Sequence, residues 1–205
     1  MLKTVPITER ITEIVIPAAE SNLTFSAFIV QTQAGPVLID TGFQHTAAQL
    51  AETIKHYNPD LLVITHFHGD HTGGLPLVKS MLPDIVIAAH KDEVPSLSFP
   101  VERKLENGEE VVPGLKVIHV PGHTDGNIAL LFGEEKALIA GDCIFGTEAG
   151  ELYPPPERFC KDVKMAERNI ALLLDYDFDK LLLSHGKPIL AKAKEKVAAL
   201  VKTIK

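Results

Sequence analysis

Between residues 65 and 71 the chain reads Thr65-His66-Phe67-His68-Gly69-Asp70-His71. Three imidazoles and a carboxylate follow directly on residues 61–65, a short apolar run of the kind that forms a strand buried on both faces of its sheet. Four such groups packed together would desolvate and repel one another unless a cation compensated. The fold therefore has to deliver this segment to a strand end, in a cleft where an ion can sit. His66 and His68 are two apart, so in an extended turn they converge on one ion. Asp70 and His71 come after a further bend at Gly69 and would serve a second. Imidazole and carboxylate ligands suit zinc, and iron or manganese less uniquely.

Three further candidates each follow a predicted strand. His123 sits in Pro121-Gly122-His123-Thr124 after residues 115–120, Asp142 in Ala140-Gly141-Asp142 after 136–141, and His185 in Ser184-His185-Gly186 after 180–184. Side chains at strand ends on one rim can meet in a shared cleft, and the adjacent glycines leave the backbone free to turn them inward.

The rest of the chain supplies the frame. Residues 11–16, 25–32 and 37–40 read as strands from their β-branched apolar runs. Residues 46–57 carry Leu50, Ile54 and Tyr57 at helical spacing before Asn58-Pro59. Residues 75–81 form a short helix stopped at Pro83, and 85–89 another strand. After the Asn107-Gly108 turn, residues 109–112 and 115–120 flank Pro113-Gly114 as a hairpin. Strands at 127–132 and 136–141, a helix over 161–174, a strand at 180–184 and a Lys-, Ala- and Leu-rich helix over 189–204 follow. Strands mixed with helices in each half suit two sheets packed face to face with helices outside, an α+β arrangement. Residues 94–100 and 146–158 are the least regular, the latter stiffened by Pro154-Pro155-Pro156.

At 205 residues one domain spanning 1–205 is expected. The 27 acidic against 20 basic side chains disfavour a nucleic-acid partner, whose binding is driven by Lys and Arg. With two cysteines no disulfide framework is implied. With no signal-peptide pattern and no bilayer-length apolar run, the expectation is a cytoplasmic protein off the membrane. Cys143 reads as a small buried hydrophobe, and His45, His56, His90 and His119 as surface or loop residues without pattern partners.

The chain resembles the metallo-β-lactamase superfamily. Thr65–His71 matches the family's His-x-His-x-Asp-His signature, residues 37–42 look like its early Asp-x-Gly motif, and His123, Asp142 and His185 fall in the order of its remaining ligands. The resemblance implies a four-layer αββα sandwich with metals at one end. It implies that His66, His68 and His123 hold one ion, that Asp70, His71 and His185 hold another, and that Asp142 bridges both. Asp40 would orient a ligand or lie beneath a metal-bound hydroxide; as a plain turn residue it would cap the bend before Gly42.

The expected cofactor is two zinc ions per chain, with iron or manganese as alternatives. The expected activity is a hydrolase of the glyoxalase II-like branch, acting on an ester, thioester or lactone of a small molecule through a metal-bridging hydroxide, with Asp70 and Asp142 as catalytic residues. Departures from named branches are specific. Asn127 stands where glyoxalase II often has a second His, and the chain has only about one long helix after His185, where that enzyme carries its glutathione-binding domain. Phe145 stands where quorum-quenching lactonases often have a Tyr; Phe145 and Tyr153 are candidate substrate contacts. The competing readings are a persulfide dioxygenase with one iron on His66, His123 and Asp142, and a non-catalytic metal-dependent ligand sensor.

Overall fold

A computed structural model describes residues 1–18 and 24–204. Among these described residues fourteen strands are defined: β1 (Lys3–Pro6), β2 (Ile11–Pro17), β3 (Thr24–Thr32), β4 (Gly35–Ile39), β5 (Leu61–Ile64), β6 (Val86–His90), β7 (Arg103–Leu105), β8 (Glu110–Val112), β9 (Leu115–His119), β10 (Ile128–Phe132), β11 (Ala137–Ile139), β12 (Phe145–Gly146), β13 (Leu152–Tyr153) and β14 (Lys180–Leu182). The α-helices are α1 (Ala47–Ile54), the single turn α2 (Gly69–Thr72), α3 (Leu75–Met81), α4 (Val163–Asn169) and α5 (Ala193–Thr203).

One sheet runs in order β1 to β7, antiparallel through β4 and parallel from β4 to β7. The other has the order β14-β11-β10-β9-β8, with β14 parallel to β11. The period-2 side-chain pattern of the strands sorts their residues into three apolar layers. Phe28, Ile39, Val63 and Ala88 of the first sheet meet Val117, Leu130, Ile139 and Leu182 of the second. On the first sheet's far face, Leu38, Leu62 and Ile64 pack under Leu50 and Ile54 of α1 and Val78 of α3. On the second sheet's far face, Ile118, Leu138 and Leu181 pack under Ile170, Leu173 and Val197. Neighbours in β5 thus go to opposite layers, which is why that strand has no polar residue. The result is helix, sheet, sheet, helix: the expected αββα sandwich. A Leu-to-Ala truncation in these layers costs about 2–5 kcal/mol.

Crossovers through α1 and α3 join parallel strands β4 to β5 and β5 to β6, and the carboxyl ends of these strands share one rim. That is where the loops of an open parallel sheet converge. Backbone bonds tie the two sheets together at this rim: Ile128 N–H donates to Thr65 O at 3.1 Å and Ser26 N–H to Ser184 O at 2.8 Å.

Several boundaries differ from the sequence reading. The helix over 161–174 is α4 followed by a 3-10 segment, Ile170–Asp175. The terminal helix begins at Ala193, because Ile189 pairs in a β-bridge with Leu181 instead. Edge strands β1 and β7 are additional: both are short and half polar, with no periodic signal. Among the described residues no helix is long and apolar enough to cross a membrane.

Candidate metal centre

Each site loop leaves the carboxyl end of a strand. After β4, Asp40 takes a left-handed conformation (φ 60°), which costs a non-glycine residue about 1–3 kcal/mol. The carboxylate of Asp40 is fully used in return. Its Oδ1 accepts from Thr65 N–H at 2.8 Å and its Oδ2 from Thr65 Oγ1–H at 2.7 Å, with His71 Nδ1 at 2.8 Å from Oδ2. After β5 the chain stays extended through His68 (φ −59°, ψ 149°), then closes the turn α2, in which the N–H groups of His71 and Thr72 donate to His68 O. The carbonyl of His71 accepts from both the N–H and the hydroxyl of Thr41, at 2.7 and 2.8 Å, fastening the two loops. Extended chain followed by one helical turn is what aims His66 and His68 one way and Asp70 and His71 another.

After β9, Gly122 (φ 128°) lies so close to α4 that a Cβ there would sit 2.2 Å from Ala166 N, and this packing sets the turn that presents His123. After β11, Gly141 (φ 52°) passes against Ile128 O, and Asp142 follows it into the centre.

The seven residues singled out as ligands meet at this rim. His66 Nε2 and His68 Nδ1 are 3.0 Å apart, His123 Nε2 and His68 Nδ1 3.0 Å, and His123 Nε2 and His66 Nε2 3.2 Å. The second group, Asp70, His71 and His185, is equally convergent, with His185 Nε2 3.2 Å from Asp70 Oδ2. Asp142 stands between them. Its Oδ2 is 3.4, 3.6 and 3.7 Å from His123, His185 and His66 Nε2, and its Oδ1 is 3.2 Å from His71 Nε2.

His66, His71, His123 and Asp142 are buried. Burial, followed by the charge on His71, holds the His66 pKa well below the ordinary imidazole value. His68 is lowered by burial and then by His123. For His71 burial also opposes a charge, but the carboxylates of Asp142 and Asp40 outweigh it and raise the pKa. Burial works to raise both carboxyls. At Asp142 the surrounding histidines, His71 foremost, reverse it decisively; at Asp70 the hydrogen bond to His185 does so more modestly.

A cavity of about 690 Å³ opens over the centre. His68, Asp70, Asp142 and His185 form its floor, and Phe43, Phe145, Tyr153 and Phe159 supply apolar wall. Phe145 lies flat on His185, with centroids 4.7 Å apart and planes at 4°. Phe145 and Tyr153 therefore both stand where a substrate would contact them, and they pair across β12 and β13. Gly146, Thr147, Glu148, Pro156 and Arg158 also line the cavity, so the 146–158 loop is one of its walls.

Two neighbours were not legible beforehand. Glu93, 1% exposed, accepts from Phe67 N–H at 2.7 Å, Thr124 Oγ1–H at 2.8 Å and Gly126 N–H at 2.7 Å, joining the His66–His68 loop to the His123 loop. Burial raises its pKa against those hydrogen bonds. Cys160 Sγ lies 3.7 Å from His123 Nδ1, and burial pushes its thiol up to about 11. Asn127 is not at the centre: its Nδ2 donates to Val120 O and to Cys143 Sγ, each at 3.1 Å. Cys143 is buried as read. His45 and His56 are exposed, but His90 is 2% exposed and stacked on His119, which corrects its reading as a surface residue.

Comparison with known proteins agrees with this geometry. The model of the metallo-beta-lactamase superfamily matches residues 24–185. The beta-lactamase-like protein 2 homolog of Caenorhabditis elegans is 32% identical over 190 residues, 84% of this chain and 59% of that protein. A hydroxyacylglutathione hydrolase of Aliivibrio fischeri is 34% identical over 123 residues, 57% of this chain and 45% of that protein. The chain thus spans less than two thirds of either relative. Among solved structures, a metallo-beta-lactamase from Pontibacter korlensis superposes with a TM-score of 0.81 at 20% identity, covering 98% of this chain and 99% of that one. TTHA1623, solved in a di-iron-bound form, gives 0.68 at 25% identity over 88% and 96%.

Proposed function

The chain belongs to the metallo-beta-lactamase superfamily, and on that footing we propose that it is a metal-dependent hydrolase cleaving an ester, thioester or lactone of a small molecule. The observation that carries this reading is the inward convergence of buried imidazole and carboxylate donors on one point. His71 Nε2 and Asp142 Oδ1 face only each other there, at 3.2 Å and without a well-formed hydrogen bond, although leaving a buried polar atom unpaired costs about 1–3 kcal/mol. Three imidazole nitrogens crowd within 3.0–3.2 Å of one another beside them. Cations satisfy all of these atoms at once.

In this reading His66, His68 and His123 hold one divalent ion, Asp70, His71 and His185 hold another, and Asp142 serves both. The donor set suits zinc, with iron and manganese as alternatives. Such ions, when bound, lower the pKa of a water from about 15.7 towards 7 and polarise a carbonyl oxygen.

The chain's own residues do the rest. Asp40 Oδ2 accepts a hydrogen bond from His71 Nδ1–H, which fixes the tautomer and turns the Nε2 lone pair into the centre. Thr65, bonded twice to Asp40, holds that carboxylate in place. Phe145, Tyr153 and Phe43 give the acyl part an apolar wall and displace water from it. Asp70, its side chain 25% exposed, faces the cavity beside His185 as an ionised carboxylate, so the floor offers no ready proton for a departing group. An ester, thioester or lactone needs little such help, which suits a floor whose carboxylates are already engaged with histidines. The relative named hydroxyacylglutathione hydrolase supports a hydrolase.

Elemental analysis of the purified protein, followed by an ester, thioester and lactone panel with a chelation control, tests the reading. Turnover that chelation abolishes and added zinc restores is the expected result. Full metal loading with no turnover across the panel would overturn it in favour of a sensor; one iron per chain with oxygen consumption would overturn it in favour of a dioxygenase.

A further inference from the structure

His123 meets the centre through Nε2, which lies 3.0 Å from His68 Nδ1 and 3.2 Å from His66 Nε2. Its other ring nitrogen, Nδ1, lies 3.7 Å from Cys160 Sγ. Cys160 is a free, half-buried thiol. The backbone just after it is fastened to the His123 loop: Lys161 N–H donates to His123 O at 3.0 Å and Asp162 N–H to Gly122 O at 2.9 Å. On its other side the sulfur lies 3.7 Å from Pro155 O and 3.6 Å from Pro156 O. Pro156 is part of the cavity wall.

We propose that Cys160 is a positioning residue for the metal centre: its sulfur accepts the Nδ1–H of His123 and so presents the Nε2 lone pair to the ion. The inference rests on the reading of the centre as a divalent-metal site.

The direction of each hydrogen bond follows from what the atoms can do. A thiol is protonated at neutral pH. A carbonyl can only accept, so the S–H is drawn to the Pro155 and Pro156 oxygens. The sulfur lone pairs are then left to face His123. A neutral imidazole carries one N–H, and the nitrogen that binds a metal cannot be the one that carries it. With Nε2 turned to the ion the proton sits on Nδ1, and Cys160 Sγ is the acceptor beside it. Metal-binding histidines as a rule give this second N–H to a partner that fixes the tautomer and the ring. The reverse bond, from thiol to Nδ1, would put the ring proton on Nε2, amid the donors of His66 and His68, where it would block the ion.

The arrangement parallels that of His71, whose Nδ1 is 2.8 Å from Asp40 Oδ2. Each group of donors thus has one histidine steadied from behind, by a carboxylate in one case and by sulfur in the other. Sulfur is a weak acceptor. Cys160 therefore acts on the orientation of His123 more than on its donor strength. Because the thiol is itself aimed by two proline carbonyls, the setting of His123 depends on the backbone of the cavity wall.

The test compares zinc-loaded wild type, Cys160→Ala and Cys160→Ser. Zinc affinity is measured by competition against a chromogenic chelator, and the imidazole N–H resonances of His123 and His71 are followed by NMR. Cys160→Ala should weaken the ion held by His66, His68 and His123 about 10-fold, the low end of the range for such partners. Its His123 Nδ1–H resonance should be lost to solvent exchange while that of His71 stays. A serine hydroxyl can both donate to the proline carbonyls and accept from Nδ1–H, so Cys160→Ser should recover most of the affinity and show a shifted His123 resonance. Unchanged affinity with an unchanged His123 resonance in Cys160→Ala would overturn the proposal. So would loss of both resonances together, which marks a general loosening. Wild type that binds no zinc would overturn the reading of the centre itself, an outcome the titration separates from zinc bound equally well by all three proteins.

Discussion

The two groups of donors at the principal centre differ in how far water reaches them. In the group of His66, His68, His123 and Asp142, three of the four are buried, and only His68 and Asp142 meet the cavity. In the group of Asp70, His71 and His185, only His71 is buried, while Asp70 and His185 are 25% and 22% exposed in their side chains and form cavity floor. The first group is held from several sides by loops that Glu93 clamps. The second leans on one deep residue, His71, fixed by Asp40. Donors that are desolvated and prealigned bind an ion tightly; donors open to a cavity leave room for exchange and for a substrate atom. On the proposed function, this difference would give retention to the inner group and contact with substrate to the outer one.

Replacing the residue common to both groups should do the most damage. Asp142→Ala should lower turnover by more than the roughly 100-fold that loss of a ligand's supporting partner can cost, and should strip metal from both groups. A variant that kept two tightly bound ions and wild-type turnover would remove Asp142 from its shared position. Single-ligand variants then separate the groups. His66→Ala should leave the protein with little metal, whereas His185→Ala should retain about one equivalent, the inner one. Identical metal counts would mean that the contrast in exposure has no bearing on affinity. Asp40→Asn should cost about 10–100-fold in metal affinity or turnover by freeing the His71 tautomer, with titration of the outer ion as the measurement.

Effects on the clamp should be milder and should show first in stability. Glu93→Gln replaces one acceptor oxygen with a donor facing N–H or O–H groups, costing about 1–3 kcal/mol. For a chain of this size that lowers Tm by several degrees, about 2–4 °C per kcal/mol, with a smaller change in turnover than Asp40→Asn gives. The smallest effect concerns pH. His90 titrates near 4 when folded and near 6.5 when unfolded, so the unfolded chain binds its proton first on acidification. Its contribution to stability is present above about 6.5 and is lost as pH falls towards 4. Imidazole shifts followed by NMR in metal-free protein should place that midpoint; a value near 6.5 would show the ring to be solvated.

The same contrast explains what the sequence disclosed. His66, His68, Asp70 and His71 were legible because four donors in six residues have few purposes other than an ion. His123, Asp142 and His185 were legible as residues just past strand ends beside glycine. The three apolar layers were legible because strands such as β5 are apolar throughout. Glu93 was not, because its partners are mostly backbone N–H groups, which leave no trace in residue identity, and because Asp92-Glu93 reads as an ordinary polar turn. His90 was misread for a related reason: its burial depends on His119 in the other sheet, and no local pattern joins them. The start of α5 was misplaced because Ile189 satisfies the helical period and the bridge to Leu181 equally well, and only the tertiary structure chooses between them.

The loops that build the principal centre leave β4, β5, β9, β11 and β14, and the bonds Ile128 to Thr65 and Ser26 to Ser184 close the rim only when both sheets are in place. During synthesis, therefore, the centre cannot be completed until residue 185 has left the ribosome and β14 has docked beside β11. Contacts that join distant parts of a chain form slowly, so a nascent chain would carry an exposed cluster of histidines for much of its elongation. On the proposed function, ion capture by the full set would be a late event in the life of the chain, and release of bound metal on heating would report on the separation of the two sheets.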